Sequence, residues 1–258
     1  MSRTGWHEHD WQLIHTDAQS PAMHMALDEV LTNEVSAGRR RPTLRVWEWA
    51  DPAVVIGRFQ SLRNEVDGDA AAGHGIQVVR RISGGGAMFI EPGNTITYSI
   101  CGPLSLVEGL SFQQSYELMD RWVIEALAEL GVAASYQPLN DITSPAGKIA
   151  GAAQARKGNA VLHHVTMAYD IDTGKMRDVL RIGREKLSDK GTTSAAKRVD
   201  PLRSQTGLPR AAVIERMIAA FRRNHGLRDD HLTPDELGQA MRLAEAKFET
   251  AEWTAVVP

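Results

Sequence analysis

Hydrophobic positions recur along the chain with two periods, and these separate strand-rich from helix-rich stretches. Trp11–His15 reads as a short opening strand. Ser20-Pro21 then supplies an N-cap and a proline at the first helical position. Met23, Leu27, Val30 and Leu31 follow at helical spacing, so 21–35 is predicted as an amphipathic helix that Gly38 stops. The runs 44–49 and 53–56 predict strands around the turn Asp51-Pro52, and 76–81 predicts another. From Asn94 to Ile100 the chain alternates Ile96, Tyr98 and Ile100 with Thr95, Thr97 and Ser99, which predicts a strand buried on one face.

Phe112, Met119, Val123, Ala126, Leu127 and Leu130 mark the strongest helix, 111–130, closed by Gly131. Residues 148–154 and 159–171 predict a hairpin around Arg156-Lys157-Gly158. Beyond Thr173 the pattern turns helical, over 174–180, 209–224 and 233–246, the last opened by the capping box Thr233-Pro-Asp-Glu236. Strands lead and helices follow, which predicts an α+β fold with a mixed or antiparallel sheet core flanked by helices. No repeat, low-complexity tract or linker interrupts the chain, so a single domain over 1–258 is expected.

Composition narrows the class. With 43% hydrophobic and 24% charged residues, the chain is neither fibrous nor disordered. A net charge of −3 gives no bulk positive field for nucleic acid or anionic lipid, so neither is an expected partner. No run approaches the ~18 apolar residues of a membrane helix. No secretory leader is evident either, and a cytoplasmic location is expected. One cysteine excludes an internal disulfide and a cysteine-built zinc cage.

The strongest chemical signal is Arg80-Arg81-Ile82-Ser83-Gly84-Gly85-Gly86-Ala87-Met88-Phe89. Three successive glycines between two strands present bare backbone, which suits a positive φ or the close approach of a ligand. The arginines add fixed charge and paired donors for phosphate or carboxylate. A backbone cradle for an anion is preferred to a flexible turn, because Pro92-Gly93 already supplies a turn. The segment is not a Walker loop, a dinucleotide fingerprint or a nucleophile elbow. A second segment joins Asn140-Asp141-Ile142 to Gly147-Lys148-Ile149-Ala150-Gly151-Ala152-Ala153-Gln154. Lys148 stands alone in a small, apolar strand, so it either reaches solvent or meets an anion in a cleft. Asp141 is either a turn residue or a Mg²⁺ ligand beside nucleotide phosphates. His163 and His164 point to opposite faces of a strand and cannot serve one metal; no zinc is expected. His7 and His9 read as solvated.

Further elements are Met25-Ala-Leu-Asp28-Glu29, Val55-Ile-Gly57-Arg58-Phe-Gln60, Gly93-Asn94, and His163-His164 with Thr166. Glu185-Lys-Leu187, Lys190-Gly-x-x-Ser194 with Arg198-Val199, and Glu252-Trp253 complete the series. In order and spacing, these and the two segments above resemble the lipoate–protein ligase A group of the biotin/lipoate ligase superfamily, over nearly the whole chain. The resemblance implies a lipoate–protein ligase that uses ATP and Mg²⁺ to make lipoyl-AMP from lipoate. It then passes the lipoyl group to a lysine of a carrier domain, of the 2-oxoacid dehydrogenase E2 or glycine cleavage H protein type. Lys148 becomes the catalytic residue, bridging the lipoyl carbonyl and α-phosphate. Arg81, Ser83, Gly84, Gly85, Gly86, Ala87, Met88 and Phe89, with Asn94, Asn140, Gly151 and Ala153, become the nucleotide and lipoyl-AMP site. Gly57, Arg58 and His163 shape a lipoyl pocket, Asp141 positions Mg²⁺, and the 188–199 loop closes over the adenylate.

The chain departs from the family pattern at Ile90-Glu91, where His-Asp is usual, and at Val165, where glycine is common. It also stops at Pro258, so a short form without the C-terminal accessory domain is expected, with a separate accessory protein as a possible partner. An octanoyl- or lipoyl-transferase using an acyl-cysteine is the alternative enzyme. Transferases of that kind carry their cysteine near the position of Ala134, whereas the one cysteine here, Cys101, reads as a core residue. A non-catalytic lipoyl-adenylate-binding regulator is the alternative outside catalysis. Arg39-Arg40-Arg41 reads as a solvated loop, with a docking rim for an acidic carrier as the other reading.

Overall fold

A computed structural model of the chain describes residues 5–181 and 199–258. Its strands are β1 (Gln12–His15), β2 (Thr43–Trp47), β3 (Ala53–Ile56), β4 (Gln77–Arg80), β5 (Met88–Ile90) and β6 (Thr95–Pro103). They continue with β7 (Ser135–Gln137), β8 (Asp141–Ser144), β9 (Gly147–Lys157), β10 (Ala160–Ala168) and β11 (Arg228–Asp229). The helices are α1 (Pro21–Ser36), α2 (Leu62–Glu65), α3 (Gly68–Gly73), α4 (Phe112–Glu129) and α5 (Thr173–Val179). Later come α6 (Leu202–Thr206), α7 (Arg210–His225), α8 (Pro234–Leu243) and α9 (Ala251–Thr254).

Local signals set the long elements. Ser20 Oγ accepts the Met23 amide to cap α1, and Gly38, at φ 69°, follows its end. Ser111 and Gln114 close a reciprocal capping box on α4. Thr233 and Glu236 do the same on α8, which passes into a π-helical turn over Ala244–Phe248. The predicted hairpin forms, with Lys157 opposite Ala160 and Gly158 at φ 56° in the turn. Among the described residues no helix is long and apolar enough to cross a membrane.

Eight strands make a mixed sheet in the order β11-β1-β2-β6-β10-β9-β8-β7, and β4-β3-β5 make a smaller one. This is the predicted α+β class. One face of the large sheet presents Leu44, Val46, Ile96, Tyr98, Ile100, Val161, Val165 and Met167 to Met119, Trp122 and Val123 of α4 and Phe221 of α7. Each large side chain buried there contributes roughly 1.5–3 kcal/mol. Val165, where the family pattern has glycine, fills this core.

The other face lies under α1 and is polar. Thr43, Arg45, Thr97, Ser99 and His164 are all buried there. The alternation in β6 predicts one solvated face; the structure buries both, because α1 covers the second. The polar side chains find partners inside: Trp47 Nε1 donates to Ser99 Oγ and Trp49 Nε1 to Thr97 Oγ1, each at 3.1 Å.

Arg80 ties the chain's end to the small sheet. Its guanidinium donates to the carbonyls of Gly57 (2.9 Å) and Gln60 (2.7 Å), and to those of Thr254 (2.7 Å) and Val257 (3.1 Å). Trp253 Nε1 donates back to the Arg80 carbonyl at 2.8 Å. The arginine run is likewise engaged within the fold: Arg39 pairs with Glu34, Arg40 with Glu236 and Asp230, and Arg41 with Asp10. Arg39 and Arg41 are exposed, as the solvated-loop reading expects; Arg40 departs from it and is buried.

Candidate active site

Two loops meet where β3 and β4 end. A Cβ on Gly57 would lie 2.2 Å from the Gly85 carbonyl oxygen, so only glycine lets the loops touch. Gly85 has φ 90°, and a Cβ there would also meet Arg81 Nη2 at 2.9 Å.

Arg81 is buried and turned inward. Its Nη2 donates to the carbonyls of Gly84 (2.6 Å) and Gly86 (2.8 Å), Nη1 to that of Val55 (3.2 Å), and Nε to Ser83 Oγ (3.0 Å). Burial pulls its pKa down to about 10, so the charge persists at neutral pH. The expectation that Arg81 itself grips phosphates is therefore revised. A loop without side chains cannot hold its own shape, and the buried guanidinium holds it from behind. With those carbonyls drawn inward, the amides of Gly84, Gly85 and Gly86 donate to no group among the described residues. Gly85 and Gly86 are exposed, so these donors are left for an outside acceptor.

The facing wall comes from β8 and β9. Ala153 Cβ and Asn140 Nδ2 lie 3.7 and 3.9 Å from the Cβ position of Gly85. Gly151 lies opposite Asp141, and the register shifts between Ile142 and Thr143, so Lys148 falls opposite Thr143. The extra residue, Ile149, turns Lys148 onto the face shared by Asp141 and Gly151, as bulges beside functional sites often do. Lys148 Nζ lies 2.7 Å from Asp141 Oδ1 and 3.2 Å from where a Gly151 Cβ would be. Its side chain is 21% exposed. The ammonium is turned onto the protein rather than extended into solvent: it pairs with Asp141 and lies over Gly151, two residues along one strand face from the Ala153–Gly85 contact. Val199 bridges to the Lys148 backbone, and the Asp200 amide donates to the Lys148 carbonyl at 2.8 Å. The rest of the predicted closing loop, 188–198, lies outside the described residues, as do Glu185 and Leu187.

Other expected site residues separate. His163 does not join Gly57 and Arg58. It faces α4, fully buried, with Nε2 2.8 Å from Asp120 Oδ1 and Nδ1 3.0 Å from Gln154 Nε2. Adjacent strand positions alternate faces, and the side toward the glycine loop belongs to His164. Arg58 stacks over Trp253 at 4.4 Å. Asn94 serves a turn, donating to Glu91 and accepting from the amides of Tyr169 and Asp170. Met88 and Phe89 pack their side chains into the small sheet's cores, so only their backbone is placed for a ligand.

For Mg²⁺, the donor set is one carboxylate, and it already carries an ammonium. No cluster of three or more His, Cys, Asp or Glu side chains forms among the described residues. That is no resident metal site; a Mg²⁺ brought in with nucleotide phosphates would share Asp141 with Lys148. Cys101 is fully buried, 3.6 Å from Thr32 Oγ1, and burial pushes its thiol up to about 12.

Sequence reasoning passed over Asp28 and Arg45 as chemistry. Both are buried, 2.6 Å apart, and Asp28 also meets His164. The signal was present: one charge of each sign on faces otherwise predicted to be core. Burial opposes the Asp28 charge, but Arg45 and the His164 hydrogen bond outweigh it and hold the carboxyl below its usual range.

Fold and site together define an α+β protein in which one sheet face carries both the Lys148 ammonium over Gly151 and the Ala153 wall against the glycine loop. The chain belongs to the lipoyl protein ligase A/B catalytic domain family, whose model matches residues 20–222. The octanoyltransferase LipM of Exiguobacterium sp. is 32% identical over 213 residues, covering 73% of this chain and 76% of that protein. A structure of a bi-partite lipoate protein ligase and its E2 lipoyl domain from Thermoplasma acidophilum gives a TM-score of 0.82 at 29% identity, covering 97% of each chain. A lipoate-protein ligase A bound with ATP gives 0.80 at 26%, covering 97% of this chain and 99% of that one. The protein is an enzyme of the lipoate ligase and octanoyltransferase family.

Proposed function

We propose that this enzyme is a lipoate–protein ligase working through an acyl-adenylate. The observation that carries the reading is the Lys148 ammonium, seated over Gly151 on the strand face that meets a glycine loop whose amides are unpartnered among the described residues. Activation brings a carboxylate against a triphosphate. Two unit charges ~4 Å apart at an effective dielectric of ~20 repel by roughly 4 kcal/mol, so the site must supply positive charge and aimed donors. The amides of Gly84–Gly86 take phosphate oxygens, while Arg81 keeps the loop in shape from behind. Mg²⁺ enters as the ion carried by ATP. The lipoate carboxylate oxygen attacks the α-phosphorus and pyrophosphate leaves. The carrier lysine's amine then attacks the acyl carbon, AMP leaves, and the amine gives up its proton. Lys148 neutralises charge at the reacting centre in both steps, and Asp141 holds it there.

The carrier is a lipoyl domain of the E2 type or an H protein. End-to-end likeness to a chain of a bi-partite ligase supports a divided enzyme: transfer from lipoyl-AMP resides in this chain, and activation needs a second component. Likeness to LipM favours a second reading, octanoyl transfer through an acyl-cysteine. Against it stand the single cysteine and its sealed, high-pKa thiol, since the thiolate is the nucleophile.

The test is mass spectrometry of an apo lipoyl domain incubated with this chain. One arm supplies lipoyl-AMP, the other MgATP with lipoate. The expected result is carrier lipoylation in the first arm and little in the second. Robust lipoylation in the second arm overturns the divided arrangement. Binding of lipoyl-AMP with no transfer in either arm overturns the ligase and favours a regulator.

A further inference from the structure

Ser83 stands between the Arg81 guanidinium and the His164 imidazole. Its hydroxyl donates to His164 Nε2 at 2.6 Å, and its Oγ accepts from Arg81 Nε at 3.0 Å. His164 Nδ1 lies 2.7 Å from Asp28 Oδ2, and Asp28 Oδ1 accepts from Arg45 Nη2 at 2.6 Å. An ionised carboxylate only accepts, so the His164 proton sits on Nδ1 and leaves Nε2 to take the serine hydrogen. Donation therefore runs one way, from Arg81 through Ser83 and His164 to Asp28 on the first helix, while the far side of the same guanidinium donates to the glycine-loop carbonyls.

We infer that Asp28, through His164 and Ser83, positions Arg81 and thereby sets the shape of the 84–86 loop for the adenylate. This rests on the acyl-adenylate reading above. A guanidinium is planar and rigid, so fixing Nε also fixes the direction of Nη2, the group that holds the Gly84 and Gly86 carbonyls. Those glycines have no side chains to anchor them otherwise. Asp28, His164 and Ser83 stand in the order of a serine nucleophile triad, but Ser83 is 1% exposed and its oxygen is engaged by Arg81. A nucleophile needs an open line to its substrate. These are positioning residues.

Asp28→Asn reverses the direction. An amide that donates to His164 Nδ1 moves the ring proton to Nε2. Two donors then face Ser83 Oγ, and the hydroxyl hydrogen loses its acceptor. Ser83→Ala cuts the same chain without changing charge or crowding the site.

The experiment combines ¹⁵N NMR of the His164 ring with calorimetric binding of a non-hydrolysable lipoyl-adenylate analogue. Single-turnover transfer from saturating lipoyl-AMP is measured alongside. In the wild type the ring is protonated at Nδ1, and in Asp28→Asn at Nε2. Each single variant weakens analogue binding about tenfold. The double variant is no weaker than the worse single one, because both break one chain. The loss in affinity exceeds the loss in transfer at saturation. Unchanged affinity in Ser83→Ala, or additive losses in the double variant, overturns the inference. So does a collapse of saturated transfer at full affinity, which would place chemistry on Ser83. Wild-type protein that does not bind the analogue overturns the acyl-adenylate reading and this inference with it. A wild type that binds, with variants that bind equally well, overturns the inference alone.

Discussion

His163 and His164 are neighbours on β10, both buried and both hydrogen-bonded to a carboxylate, yet they belong to different halves of the protein. His163 leads to Asp120, Gln154 and Ser115, all buried beneath α4. His164 opens through Ser83 and Arg81 onto the glycine loop. Burial and a charged partner alone do not mark a functional residue; what matters is where the hydrogen bonds lead. The chain from His163 stays beneath α4, while the chain from His164 leads to the glycine loop.

If that division is right, substitutions on the two faces fail in different ways. The largest effect belongs to Lys148. Lys148→Ala lowers single-turnover transfer from lipoyl-AMP by about 10²–10³-fold. Lys148→Arg does nearly as badly, because a planar guanidinium does not fit the ammonium's place over Gly151. Near-normal transfer by Lys148→Arg contradicts the bridging role.

Gly57→Ala comes next. Its methyl must displace the Gly85 carbonyl, and a shift of that order in a positioned loop costs about a hundredfold in transfer. Full activity with an unshifted melting temperature would show that the two loops do not need their contact. On the opposite face, His163→Leu should cost about 2 kcal/mol of stability by stranding Asp120. Urea unfolding checks that, and analogue affinity should not change. Lost affinity in a stable His163→Leu protein would erase the distinction between the faces.

The effect that vanishes at neutral pH concerns acid. His24, on the α1 face against Arg45, has its pKa lowered by burial and then by that charge to about 3, from 6.5. As pH falls below 6.5, the unfolded chain binds this proton and the folded one does not. Stability therefore drops between pH 6.5 and 3, by up to about 1.4 kcal/mol per pH unit for this one group. His164, also lowered by burial, adds to the same slope. His24→Gln should flatten the slope by one proton. Asp28 contributes only at lower pH, where its depressed carboxyl finally protonates. An unchanged slope in His24→Gln places the acid response elsewhere.

The long elements were legible because their signals are local: Ser20-Pro21, Ser111 with Gln114, Thr233 with Glu236, and the turn at Gly158. The glycine loop and Lys148 were legible as oddities, bare backbone between strands and one charge in a small strand. Three things were not. The inward turn of Arg81 depends on carbonyls brought to it by the fold. The face that Lys148 occupies depends on an extra residue in β9, which no two-residue period records. The polar threonines and serine of β6 imitate a solvated face, and only the packing of α1 shows that they are interior. The assignment of His163 to the ligand failed for a related reason: parity separates it from His164, but parity does not say which face holds the site.

The most direct measurement is an amide ¹⁵N–¹H titration with the lipoyl-adenylate analogue, following Gly84, Gly85 and Gly86. The account predicts that all three amide protons move downfield as they bond to phosphate oxygen, and that Lys148→Ala weakens the response. Binding that leaves these three resonances in place would contradict it.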